Sequence, residues 1–270
     1  MTVPTATTSD AYAPQAVALR VRDLGVAKLR RPTFPTFGLS VLAGAFIALG
    51  SLFFVVVVTG STLGFGITRM LGGVAFSLGL ILVVVAGAEL FTGNVLIAMA
   101  WASRLVGTAE VLRHWALTFA GNAVGALGTV GLVWLGGIHT FSGGDVGATV
   151  LAIAEHKTGL GVLALLALGT LCNALVCLAV WLAQAARSVT DKVLAIVFPI
   201  SAFVAVGAEH SIANLFLLPW AWVLAGFDPA LVVASLVNVA AVTVGNVLGG
   251  TVLVAGVYWL AYLRGAPDTA

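Results

Sequence analysis

Long apolar runs separated by short polar interruptions make up most of this chain. Six of them reach the roughly 20 residues that a helix needs to cross a hydrocarbon core about 30 Å thick: about 38–60, 70–102, 115–136, 160–183, 193–226 and 229–263. The loops between them are short except at 137–159, GIHTFSGGDVGATVLAIAEHKTG, which is Gly-rich and carries Asp145, Glu155, His156 and Lys157. Ahead of the first run, residues 15–31 set Val17, Leu19, Val21, Leu24, Val26 and Leu29 against Arg20, Arg22, Asp23 and Lys28. That pattern predicts a short amphipathic helix on the inner membrane surface, ended by Pro32 and Pro35.

Composition makes the pattern decisive. Of 270 residues, 61% are hydrophobic and 8% charged, where a soluble domain carries about a quarter charged residues. An all-α integral membrane protein is expected. The net charge of +2 and the absence of a basic run exclude nucleic acid as a natural partner. Cys172 and Cys177 fit neither zinc spacing nor a disulfide framework and are expected to be buried and inert. The start of the chain has no cleavable-signal pattern.

Charge placement orients the spans. Arg20, Arg22, Lys28, Arg30, Arg31, Arg104, Arg113, Arg187, Lys192 and Arg264 all fall on one side, ten of the twelve basic residues; Arg69 and Lys157 fall on the other. Basic residues favour the cytoplasmic side, so both termini are expected in the cytoplasm of a cell (inner) membrane protein, with Lys157 facing outward. The expected organisation is a cytoplasmic segment at 1–37, one channel domain at 38–264 and a tail at 265–270.

Within the channel domain the sequence repeats. The stretch 87-GAELFTGN-94 returns 120 residues later as 207-GAEHSIAN-214, and 121-GNAVG-125 returns as 245-GNVLG-249. Residues 38–136 and 160–264 thus read as two three-span repeats. The first span of one starts inside and that of the other starts outside, so the repeats are inverted, an architecture of transporters and channels. A straight helix over 70–102 would run roughly 50 Å, and polar residues interrupt spans 2 and 5 alone. Both helices are expected to unwind at LFTGN and HSIAN near the midplane. Irregular backbone survives at that depth only inside protein or along a cavity. Half-helix N-termini aimed there would suit an anion.

Glu89 and Glu209 admit two readings, a proton relay or a carboxyl that accepts hydrogen bonds from backbone N–H groups freed by the break; the second is preferred because both repeats keep the residue. His210 occurs in one break only and is read as functional. Thr92, in the other break, can offer a hydroxyl to the same cavity. His114 and His139 lie near span ends and are expected to be solvated. His156, beside Lys157, stays open.

At these residues the chain closely resembles the formate/nitrite transporter family. The matching stretches are 76-FSLGLILVVVAGAELFTGNVL-96, 155-EHK-157, 173-NALVCLAVW-181, 187-RSVTDK-192 and 207-GAEHSIANLF-216. The resemblance implies an aquaporin-like six-helix protomer in a homopentamer, with one pore per protomer and no cofactor or metal. By the same resemblance, His210 looks like the central pore histidine, Thr92 its partner in the first break, Lys157 the outer-vestibule lysine, Asn173 a polar neighbour of the histidine and Glu209 the carboxylate beside it. Phe76, Leu80, Phe91, Val176 and Phe203 look like the apolar side chains of two constrictions flanking it.

Rival classes lack their parts. Neither break holds the Asn-Pro-Ala-like turn of an aquaporin-type neutral-solute channel, and an ammonium channel would want two facing pore histidines. A membrane enzyme is not expected, since HExxH, GxSxG and clustered aspartates are all missing. The expected substrate is a small weak-acid anion crossing with a proton. The resemblance leans to formate, with nitrite as the alternative and hydrosulfide, acetate and lactate possible on the same filter.

Overall fold

The computed structural model describes residues 11–265, and within them the chain is helical. The ends of the two expected cytoplasmic segments, 1–10 and 266–270, lie outside the described residues. The helices are α1 (Pro14–Arg30), α2 (Thr33–Val58), α3 (Phe65–Ala86), α4 (Phe91–Asn94), α5 (Ala98–Ala102), α6 (Thr108–Leu135), α7 (Asp145–Thr158), α8 (Val162–Ala185), α9 (Val189–Ala205), α10 (Ser211–Leu224), α11 (Pro229–Leu248) and α12 (Val257–Tyr262). A 3-10 turn joins α4 to α5, and a π-helical stretch, Gly249–Gly256, joins α11 to α12. Among the described residues, five helices are long and apolar enough to cross a membrane: α2, α3, α6, α8 and the continuous Pro229–Tyr262. Spans 2 and 5 are split as expected, α3 being followed by the short apolar helix Phe91–Ala102 and α9 by α10.

The two halves pack alike. In the first, α2 lies against α3 and α6; in the second, α8 lies against α9 and α11; α3 and α9 then meet at the centre. Glycine permits these close approaches. A Cβ on Gly169 of α8 would stand 2.9 Å from the Val242 carbonyl of α11, so any larger residue there would push the two helices apart. Many outward-facing side chains remain apolar and exposed, including Leu132, Leu135, Leu163 and Phe198. That pattern fits a lipid-facing surface.

Three expectations change. Pro35 does not end α1. It sits in the first turn of α2, where the absent N–H has no intrahelical partner to lose, and Pro32 is the N-cap. The connection 137–159 is not a plain loop, because α7 occupies most of it: Val146, Val150 and Ala154, four apart, bury one face after a left-handed Gly144 (φ 103°). The Gly-rich start masks this helix in the sequence, and the stretch is too short to span. Finally, α1 is packed rather than merely surface-lying. Val17, Ala18, Val21 and Gly25 are buried, against α5, the 3-10 turn, α8 and α12. Helices α1 and α7 are counterparts, since Lys28 stands five residues before α2 and Lys157 five before α8.

Candidate functional site

The breaks fall one turn earlier than the sequence suggested. Span 2 unwinds over Gly87–Leu90 and span 5 over Gly207–His210, while FTGN and SIAN are already the first turns of the returning helices. The cause is local. Gly87 (φ 83°) and Gly207 (φ 73°) adopt the left-handed conformation that closes a helix. The amides of the next residues, Ala88 and Ala208, then fold back onto Val83 O (2.9 Å) and Phe203 O (3.0 Å).

A pair of asparagines satisfies the backbone that this exposes. Asn122 Oδ1 accepts from Phe91 N (2.9 Å), and its Nδ2 donates to Ser40 O (2.7 Å) and Glu89 O (3.0 Å). Asn246 does the same in the second half: Oδ1 accepts from Ser211 N (2.9 Å), and Nδ2 donates to Gly169 O (2.8 Å) and Glu209 O (2.9 Å). Each asparagine thus staples a break to its two neighbouring helices. These are the asparagines of the repeated GN pairs at 121–122 and 245–246. The repeat marked them, but no local signal tied them to a partner more than 30 residues away.

The carboxylates have another task. Glu209 accepts from Lys157 Nζ (2.8 Å) and Asn214 Nδ2 (2.7 Å). Glu89 accepts from Lys28 Nζ (2.8 Å), Asn94 Nδ2 (2.7 Å) and Arg31 Nη1. Side chains, not freed backbone amides, hold both groups, which overturns the preferred sequence reading. A buried carboxylate needs charge compensation, and the asparagines have already taken the backbone amides. His114 is also corrected. It is buried, with Nε2 3.1 Å from Asn94 Nδ2 and 3.9 Å from Glu89 Oε2. Its place in the second half is taken by Asn238, whose Oδ1 accepts from Asn214 Nδ2 (2.8 Å) and whose Nδ2 donates to Lys157 O (3.0 Å).

His210 and Thr92 meet across the two breaks, Nε2 to Oγ1 at 3.0 Å, both fully enclosed. The amide of Ala213 donates to His210 Nδ1 (3.1 Å), so the histidine caps α10. A backbone amide can only donate, so Nδ1 carries no proton. The ring hydrogen then sits on Nε2 and donates to the Thr92 oxygen. The Thr92 hydroxyl hydrogen is left to turn elsewhere. Asn173 reaches this centre indirectly: its Nδ2 donates to Thr92 O (3.2 Å) and Asn246 O (2.6 Å).

Apolar rings surround the pair. Phe76 and Phe203 pack edge to face (5.3 Å between centroids), with the His210 ring 6.4 Å from the first and 6.1 Å from the second. Phe91 packs edge-on against Phe119 (5.2 Å) and Trp115 (6.5 Å). Leu80 and Val176 are buried in the same core. A cavity of about 620 Å³, lined by Arg69, Phe76, His156, Lys157, Phe203, Glu209 and His210 among others, lies on one side of this centre. Another of about 240 Å³, lined by Lys28, Arg31, Leu80, Glu89 and Asn94 among others, lies on the other. Phe76 and Leu80 are one turn apart on α3, so the two cavities approach to about 6 Å along that helix. Arg69 also donates to Val204 O (2.6 Å) at the end of α9. Sequence reading missed Lys28, Arg31, Asn94, Asn214, Asn238 and Arg69 as site residues; the equal spacing of Lys28 and Lys157 shows only against the observed helix starts, Thr33 and Val162, and not against the expected ones at 38 and 160.

Two vestibules meeting at a short apolar neck, built from helices broken in the membrane, define a membrane pore or transporter of the inverted-repeat kind. Comparison with known proteins narrows this. The family model described as formate/nitrite transporter matches residues 15–260. The chain is 40% identical over 273 residues to the formate channel FocA of Escherichia coli (strain K12), covering 94% of this chain and 96% of that protein. Among solved structures, "Pentameric formate channel with formate bound" superposes with a TM-score of 0.76 at 38% identity, covering 86% of this chain and 98% of that one. "FNT family ion channel" does so with a TM-score of 0.77 at 30% identity, covering 92% and 96%. The chain belongs to the formate/nitrite transporter family.

Proposed function

We propose that this protein forms a homopentamer in the cell's inner membrane, termini in the cytoplasm, in which each protomer passes a small monovalent weak-acid anion, formate foremost, together with a proton. The His210–Thr92 contact of 3.0 Å, enclosed by Phe76 and Phe203 between two vestibules, carries this reading. A relative named a formate channel and a neighbour titled as a pentameric channel with formate bound support the substrate and the assembly. Both are named as channels, which favours transport over catalysis.

The chemistry follows from the charges. In the outer vestibule Arg69 and Lys157 face Glu209, leaving the mouth positive by one formal charge. Lys157 has one hydrogen bond to Glu209, and an ammonium has three donors, so it can also bind an arriving anion. The neck beyond it is dry, and an isolated charge there is very costly. The anion therefore takes a proton from the water at the mouth, where desolvation favours the neutral acid, and crosses as formic acid. His210 has its one ring hydrogen engaged with Thr92 and its other nitrogen engaged with Ala213. It acts by holding the Thr92 hydroxyl toward the passing acid rather than by giving up a proton. Phe76, Leu80, Phe91, Val176 and Phe203 keep water and bare ions out; Asn173 keeps Thr92 in place.

Uptake of labelled formate and of nitrite into proteoliposomes, with inner and outer pH set independently, tests the reading. Formate flux driven by an inward proton gradient and exceeding nitrite flux supports it. A preference for nitrite overturns the substrate but not the pore. Glycerol flux with neither anion moving overturns the anion mechanism.

A further inference from the structure

The carboxylate clusters of the two breaks share a lysine, a glutamate and an asparagine, and they differ in the side chain packed against that asparagine. Where the outer cluster has Asn238, the inner cluster has His114. Asn94 Nδ2 carries two hydrogens, one donated to Glu89 Oε2 (2.7 Å), the other directed at His114 Nε2 (3.1 Å). In this arrangement His114 Nε2 is an acceptor and the imidazole is neutral. The orientation of the Asn94 amide in turn places Oδ1 where Lys28 Nζ donates to it (2.7 Å), beside the Lys28–Glu89 Oε2 contact (2.8 Å). A proton on His114 Nε2 reverses that polarity. The new N–H would face the Asn94 NH₂, donor against donor. Relief comes from turning the amide, or from swinging Nε2–H onto Glu89 Oε2, now 3.9 Å away. The first turns an NH₂ toward the Lys28 ammonium; the second competes for the oxygen that Lys28 holds. The first costs Lys28 an acceptor and the second weakens its hold on one. The charged groups facing His114 are Glu89 from the break and Lys28 and Arg31 from the α1 side, with Arg113 next to it on α6. Arg31 holds the other carboxylate oxygen, Oε1, and remains.

We propose that His114 is a proton-operated positioning residue for the inner vestibule: neutral, it locks Lys28 onto Glu89 and Asn94; protonated from the cytoplasmic side, it turns the Lys28 ammonium into the inner cavity as an anion-attracting group. Asn238 cannot take a proton, so the outer vestibule has no such control at that position. The flux consequence rests on the pore reading above; the release of Lys28 does not.

The test therefore has two arms. In nanodiscs, a nitroxide is placed at Ala27→Cys, on the exposed face of α1 beside Lys28; Cys172 and Cys177 are fully buried and stay unlabelled. Lowering the pH from about 7.5 to about 5, across the imidazole range, is expected to raise the mobile fraction of the spectrum. His114→Asn, which copies the outer arrangement, is expected to hold the label ordered at both pH values. Lys28→Met is expected to be mobile at both, and this keeps the test open if His114→Asn fails to assemble. Equal pH responses in the wild type and His114→Asn, or none in the wild type, overturn the proposal. In everted vesicles, acid on the cytoplasmic face should raise apparent formate affinity in both proteins through proton coupling, and on the order of tenfold further in the wild type than in His114→Asn. An equal rise in both overturns the coupling to transport. A label response with no flux of any anion leaves the lock standing and sinks the pore reading instead.

Discussion

The two breaks differ less in what holds them than in what they offer. Each has a left-handed glycine, a stapling asparagine, and a lysine–glutamate–asparagine cluster, with equivalent bonds within a few tenths of an ångström of one another. The differences are few. The first break precedes its short helix with Leu90 and the second with His210, so only the second has a side-chain cap, and that cap brings an imidazole to the wall of the larger cavity. The first break holds its carboxylate with two cations, the second with one. Scaffold was duplicated, and chemistry sits where the duplication fails.

Six substitutions would test that division. The largest effect is expected for His210→Phe. Phe loses both hydrogen bonds of the imidazole, to Thr92 and from Ala213 N, and puts an apolar ring in the neck, which should cut proton-coupled anion flux on the order of 100-fold, measured in proteoliposomes. Flux at the wild-type level would rule out the role given to the histidine. Next comes Asn246→Leu, which leaves Ser211 N, Gly169 O and Glu209 O without their partner. At about 1–3 kcal/mol for each orphaned buried group, thermal unfolding in detergent should show a loss of several kcal/mol, and Asn122→Leu should match it. Unequal losses would break the equivalence of the staples.

Lys157→Met should destabilise by about 3–5 kcal/mol, the cost of leaving a buried charge without its ionic partner. Lys28→Met should cost clearly less, because Arg31 still holds Glu89; the same unfolding measurement decides, and equal costs would remove the asymmetry. The smallest effect is expected for Thr92→Val. It keeps the shape of the neck and removes one hydroxyl, about 1 kcal/mol, so formate flux should fall several-fold with little change in unfolding temperature. A loss as large as that in His210→Phe would instead make the hydroxyl the essential group.

Much of this was legible beforehand, for physical reasons. Apolar runs long enough to cross a bilayer leave a helical chain few alternatives, because hydrocarbon cannot satisfy a bare backbone. A repeated polar interruption in two of six such runs can only be tolerated inside protein, so the breaks, their pairing and the special place of His210 could be read from residue order. The turn at which each break falls depended on Gly87 and Gly207 adopting the left-handed conformation. Helix α7 was hidden because a short amphipathic helix under a Gly-rich start reads much like a loop.

By itself, then, the sequence determined a six-span helical membrane protein with two interrupted spans and a histidine in one of them. Tertiary structure alone decided who satisfies whom. Asn122 and Asn246 took the exposed amides, which left the carboxylates to Lys28, Arg31 and Lys157. The fold buried His114 against Asn94 instead of leaving it in solvent, and it brought Thr92 within 3.0 Å of His210 across 118 residues. Hydrogen bonds between distant side chains leave no periodic trace along a chain. They depend on which helices touch, and in this molecule small residues such as Gly169 set that contact.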